Sequence, residues 1–152
     1  MQNIFVDEGN LGADPTLKFV PVNTPKGVEQ RAVLELQVRF DVRKKKGDDY
    51  EDVGGFWARV TQWGKRAEIN NEFLVKGCRI LVVGELCQHP YIIQKGDRQG
   101  QAATAIEIEA AHVGLVLLGI EEITYQDKSS RSDESNVHED IDSVSDSIPF
   151  DQ

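Results

Sequence analysis

RAVLELQVRFDVR, residues 31–43, is the stretch whose reading decides the fold. Ala32, Leu34, Leu36, Val38, Phe40 and Val42 alternate with Arg31, Val33, Glu35, Gln37, Arg39, Asp41 and Arg43. Successive side chains of an extended strand point to opposite faces, so this pattern predicts a long strand with one apolar face and one largely charged face.

Working outward, FWARVTQW (56–63) reads as the partner strand. Phe56, Ala58 and Val60 share one face, and Trp57, Arg59, Thr61 and Trp63 share the other. KKKGDDYEDVGG (44–55), between the two, reads as a polar loop too long for a tight hairpin. Upstream, residues 3–8 read as a short strand, GNLGADP as a turn or bulge, TLKFVP as an extended piece stopped by Pro21, and NTPKG as a loop. Downstream, KRAEINNEFLVK (65–76) predicts the one helix. Ala67, Ile69, Phe73 and Leu74 fall partly in helical register, and Gly77 is placed to end it. CRILVVGEL predicts a buried strand, which CQHPYIIQ extends past a kink at Pro90. KGDRQG is a turn, and AATAIEIEAAHVGLVLL (102–118) is the last strand. Five strands with one helix between the third and fourth predict an all-β Greek-key barrel, the OB-fold.

The formal net charge of −9 is unevenly placed. Residues 126–152 hold eight Asp and Glu against Lys128 and Arg131, while residues 1–125 are near neutral. A serine-rich acidic segment with few apolar groups cannot offset its ordering entropy, so 126–152 is expected to be a disordered tail following a domain at 1–125. A near-neutral body does not exclude nucleic acid, because binding depends on local patches. Cys78 and Cys87 sit in apolar strands without metal spacing, which favours buried thiols in a reducing compartment. No signal peptide and no apolar run near the roughly 20 residues of a membrane span are read, so a soluble intracellular protein without membrane partners is expected. No metal spacing, nucleotide loop or nucleophile motif is present, and His89, His112 and His138 are scattered. Neither catalysis nor a cofactor or metal is expected.

The outward face of the 56–63 strand carries Trp57 and Trp63, about 20 Å apart at about 3.3 Å per residue, with Arg59 between them. If this strand pairs with 31–43, Gln37 and Arg39 share that surface. One reading is that both tryptophans are buried, through an inverted phase or an oligomer contact. The other is a stacking platform: exposed aromatics take base faces, interleaved cations hold phosphates, and duplex hides its base faces. Arg43, Lys44, Lys45 and Lys46 at a hairpin tip, and Lys65 beyond Trp63, extend the cations. Tyr91 is a third candidate stacker.

These residues resemble the bacterial single-stranded DNA-binding (SSB) family over most of residues 3–113. GNLGADP with LKFVP is similar to its first-strand signature, FWARVTQWGKRAE to its third strand and helix, and VKGCRILVVGEL to its fourth strand. The resemblance implies an OB-fold homotetramer, with a dimer as the alternative, in the bacterial cytoplasm at the nucleoid. It would bind and protect single-stranded DNA in replication, recombination and repair. Trp57, Trp63 and Tyr91 fall on family aromatic positions, as does Phe19. Where the family often has a tryptophan at the end of the second strand, this chain has FDVRKK, so Phe40 or the basic residues are the expected substitutes.

The family also ends in an acidic tail that docks replication, repair and recombination proteins, and Asp146, Ile148, Pro149 and Phe150 match its tip. Pro149 restricts the backbone before an aromatic that can fill a pocket. Asp151 and Gln152 follow Phe150, where the family usually ends, and this is expected to alter partner selectivity. The basic hairpin, the YEDVGG segment and the changed tip point to a divergent member, such as one carried on a mobile element. The competing reading is an OB-fold interaction module of a primosome or conjugation complex with little DNA binding.

Overall fold

The computed structural model describes residues 3–127. In chain order the elements are β1 (Ile4–Leu11), β2 (Thr16–Thr24), β3 (Gly27–Lys46), β4 (Asp49–Trp63), α1 (Lys65–Phe73), β5 (Arg79–Ile92) and β6 (Ala102–Leu115). The chain divides into a unit Met1–Gly119 and a second unit Ile120–Gln152. All the elements lie in the first.

The alternation at 31–43 builds what it predicts. Leu34, Leu36, Val38 and Phe40 are buried on one face of β3, against Ala58 and Val60 of β4. β3 and β4 pair antiparallel with Gln37 opposite Arg59 and Arg39 opposite Trp57. β1 pairs with β5, β5 with β6, and β6 runs parallel to β4 through Arg59↔Glu107, Val60↔Ile108 and Thr61↔Glu109. β3 then meets β1 at Asn10↔Arg39 and Leu11↔Val38. The pairing order therefore returns to its start as a ring of five strands, with α1 between the third and fourth of them in chain order. That is the closure expected of an OB-fold. β2 is a sixth strand, on the N-terminal half of β3.

Several boundaries differ from the sequence reading. Residues 44–55 are not a long loop: β3 runs to Lys46 and β4 starts at Asp49, so Gly47 and Asp48 alone make the turn. Gly47, at φ 66°, supplies the left-handed backbone such a turn needs. Polar composition suggested a loop, but the charges face each other across the ladder, with Arg43 opposite Asp52, Lys44 opposite Glu51 and Lys46 opposite Asp49. Pro21 does not stop β2, which continues to Thr24. β2 ends the sheet order, and on an edge strand a missing N–H can face away from the ladder. NTPKG tightens to a hairpin turn in which the Thr24 hydroxyl donates to Gly27 O at 2.8 Å. The helix ends at Phe73, with Ala67 and Leu74 buried but Ile69 and Phe73 exposed. Gly77 lies beyond it and donates to Leu11 O at 2.8 Å, which ties the segment to β1. The last strand stops at Leu115, not Leu118. Cys87 is exposed and Cys78 half-buried, so the expectation of two buried thiols fails. Cys87 lies past Leu86 on β5, where the strand leaves the core.

Candidate nucleic-acid interface

The register places the platform. Along residues 35–41 of β3 and 57–63 of β4 the odd-numbered side chains face away from the core, so Trp57 and Trp63 stand on the outer surface, 55% and 41% exposed. The inverted phase is excluded, since Ala58 and Val60 fill the inner face.

Trp57 is held rather than merely exposed. The Arg39 guanidinium lies 6.0 Å from its ring centroid, within cation–π range. Arg39 Nε also donates to Asp41 Oδ1 at 2.8 Å, which fixes the guanidinium. The far edge of the indole lies over Gly12: a Cβ built there would sit 2.4 Å from Cζ3 and 2.5 Å from Cη2. Gly12 in turn donates to Gln37 O on β3 at 2.9 Å. GNLGADP thus contributes a flat seat for an aromatic ring that lies 45 residues later in the chain.

Tyr91, on β5, is 49% exposed. A groove of about 490 Å³ runs between it and Trp57, with Gln37, Arg59, Thr104 and Glu107 among its other walls. Arg59 Nη2 donates to Glu107 Oε1, and His89 Nε2 lies 3.3 Å from Glu107 Oε2. Two exposed aromatic side chains and several polar ones line this groove, an arrangement that can take stacked bases with a charged backbone alongside.

The remaining candidates fall into place unevenly. Phe40 is corrected: it is 1% exposed and packs in the core, 4.8 Å from the ring of Phe5 and 5.4 Å from that of Phe56. Its even position on β3 turns it inward, away from any ligand. Arg43, Lys44, Lys45 and Lys46 are exposed on the β3–β4 hairpin, but the opposing strand is acidic, and Lys46 pairs with Glu51 at 3.7 Å. Lys65 opens α1 and pairs with Glu68 at 3.5 Å. Phe19 is 55% exposed, yet its partner across the ladder is Ala32, so it shares the core-side face and not that of Trp57. Glu107 escaped the sequence reading because only the parallel β4–β6 pairing brings it to Arg59. The tail positions Asp146, Ile148, Pro149 and Phe150 lie outside the described residues.

Residues 1–116 match the model of the single-strand binding protein family, and the chain belongs to that family. Among relatives, it is 33% identical over 108 residues to a single-stranded DNA-binding protein of Corynebacterium glutamicum, covering 70% of this chain and 43% of that one. It is 32% identical over 108 residues to one from Mycobacterium tuberculosis, covering 70% and 59%, and 29% identical over 108 residues to one from Treponema pallidum, covering 71% and 54%. The chain thus spans about half the length of these relatives. The crystal structure of a small single-stranded DNA-binding protein from Streptomyces coelicolor shares the fold, with a TM-score of 0.58 at 19% identity over 77% of this chain and 97% of that one. No helix among the described residues is long and apolar enough to cross a membrane.

Proposed function

We propose that the outer face of β4 and its neighbours binds single-stranded DNA without sequence preference, protecting it during replication, recombination and repair. The observation that carries this reading is the exposure of Trp57 and Trp63 on one face with Arg59 between them. Trp57, Trp63 and Tyr91 stack bases. Arg39, Arg59, Arg43, Lys44, Lys45, Lys46 and Lys65 attract the backbone. Membership of the single-strand binding family supports the reading, as do relatives named for single-stranded DNA binding. Binding without bond-making chemistry is sufficient for this role, in keeping with a protein that is not an enzyme.

Titration with oligo(dT) is expected to quench intrinsic tryptophan fluorescence strongly, because both tryptophans stand on the platform. Single strands but not duplex should compete, and affinity should fall as salt rises. Absence of quenching at low salt would overturn this reading in favour of an interaction module that works through protein contacts.

Assembly as a homotetramer, or a dimer, belongs to the same proposal. Ile4 and Val6 of β1, 65% and 60% exposed, share the outer face with Leu81 of β5, an apolar patch away from the groove and suited to a subunit contact. The protein would act in the bacterial cytoplasm, on nucleoid DNA. The segment around Asp146, Ile148, Pro149 and Phe150 would recruit replication, repair and recombination proteins, an aromatic anchor with acids steering it toward basic partners. Phe150→Ala should abolish co-purification of such proteins with the DNA-bound complex while oligo(dT) affinity stays unchanged. Undiminished co-purification would refute the tail's role.

A further inference from the structure

An acid in the middle of a phosphate-binding face calls for a physical account. Glu107 lines the groove between Trp57 and Tyr91. Both its carboxylate oxygens are engaged, one by Arg59 Nη2 and the other by His89 Nε2 at 3.3 Å. The carboxylate is therefore fixed in place at the one cation that stands between the two tryptophans.

Stability does not explain it. The Arg59 and Glu107 side chains are 46% and 30% exposed, and ion pairs this open to water contribute little to folding. Their effect on a bound anion is larger. A phosphate approaching Arg59 finds Nη2 already taken by a carboxylate, and it meets that carboxylate's repulsion at short range. The cation has, in effect, a counterion built into the chain.

We propose that Glu107 sets how tightly this platform holds single strands, by competing with the DNA backbone for the Arg59 guanidinium. The inference rests on the platform reading above and deepens it. In the free protein Glu107 holds Arg59 down against β6. When DNA binds, a phosphate takes Arg59 and the carboxylate is released toward His89. Affinity is thereby held below what the same aromatic surface would give with a free arginine, which favours rapid release of the strand to the next protein that needs it.

Glu107→Gln keeps the size of the side chain and an oxygen for Arg59 but removes the competing charge. It is expected to bind oligo(dT) roughly 3- to 10-fold more tightly at low salt. The log–log salt dependence should steepen by about 0.7, the increment for one further phosphate contact on a single strand. Glu72→Gln, an exposed change on α1 of equal net charge, controls for the overall field and should leave affinity within about 2-fold. In an Arg59→Met background the gain from Glu107→Gln should vanish. Unchanged or weaker binding by Glu107→Gln, an equal gain in Glu72→Gln, or a gain that survives Arg59→Met would each overturn the proposal. Thermal unfolding confirms that the variants are folded. If the unsubstituted protein itself fails to quench or bind, the platform reading falls and this inference with it. If it binds and Glu107→Gln does not differ, only the inference falls.

Discussion

Trp57→Ala should weaken binding of oligo(dT) by roughly 5- to 150-fold, from the ~1–3 kcal/mol that one aromatic–base stack contributes. It should also remove the larger share of the fluorescence quenching. The expectation follows from how the ring is supported: Arg39 covers it at 6.0 Å and Gly12 lies under its edge. A free, mobile tryptophan would lose rotamer entropy on stacking, whereas this one is already placed. Gly12→Val tests the support separately. A side chain there would meet the indole at about 2.4 Å and push it off its seat, giving a smaller loss of affinity together with a shift in tryptophan emission of the free protein. Equal affinity for Trp57→Ala and the parent would remove Trp57 from the interface.

The second large effect concerns folding. At Gly84, where β5 shifts register against β6, an added Cβ would sit 2.3 Å from the Glu109 carbonyl oxygen and 2.9 Å from the Ala110 Cα. Both obstacles are backbone and neither can rotate aside. Gly84→Val is therefore expected to cost about 3 kcal/mol, at the upper end of overpacking penalties, because the two strands must move apart at a bulge that bends the sheet. Gly114, on β6, has open space around its Cβ direction, so Gly114→Ala should change stability by less than about 1 kcal/mol. Urea unfolding of the two variants side by side measures the difference. Similar midpoints would mean that β5 and β6 are not held as closely as described.

What could be read in the sequence was what local rules govern. The alternation at 31–43 and 56–63 specifies which side chains face the core, and β3 and β4 obey it down to the phase of Trp57 and Trp63. The same rule turns Phe40 inward, with Leu36 and Val38. The resemblance to the family points it toward the ligand instead, in place of an aromatic missing from the second strand. The hairpin at 44–55 is hidden because residues of opposite charge face each other along its register, and a run of charges looks like a solvated loop until its partner strand is known. Glu107 and Gly12 were hidden for a different reason. Each acts on a residue 45 or more positions away, through a ladder or a ring contact that no local pattern encodes.

The parallel junction of β4 and β6 has a kinetic consequence. It consists of three residue pairs, whereas the β3–β4 and β5–β6 hairpins are long ladders between neighbours in sequence. The hairpins close short loops and form early; the junction joins segments nearly fifty residues apart and follows them. With the two pairs that join β1 to β3, it is one of the two short seams of the ring, and so a place where the ring can open. The groove straddles that seam, with Trp57 and Arg59 on one lip and Glu107 and Tyr91 on the other. A nucleic-acid strand bound in the proposed groove would be a clasp across it, slowing the opening of the fold for as long as it stayed.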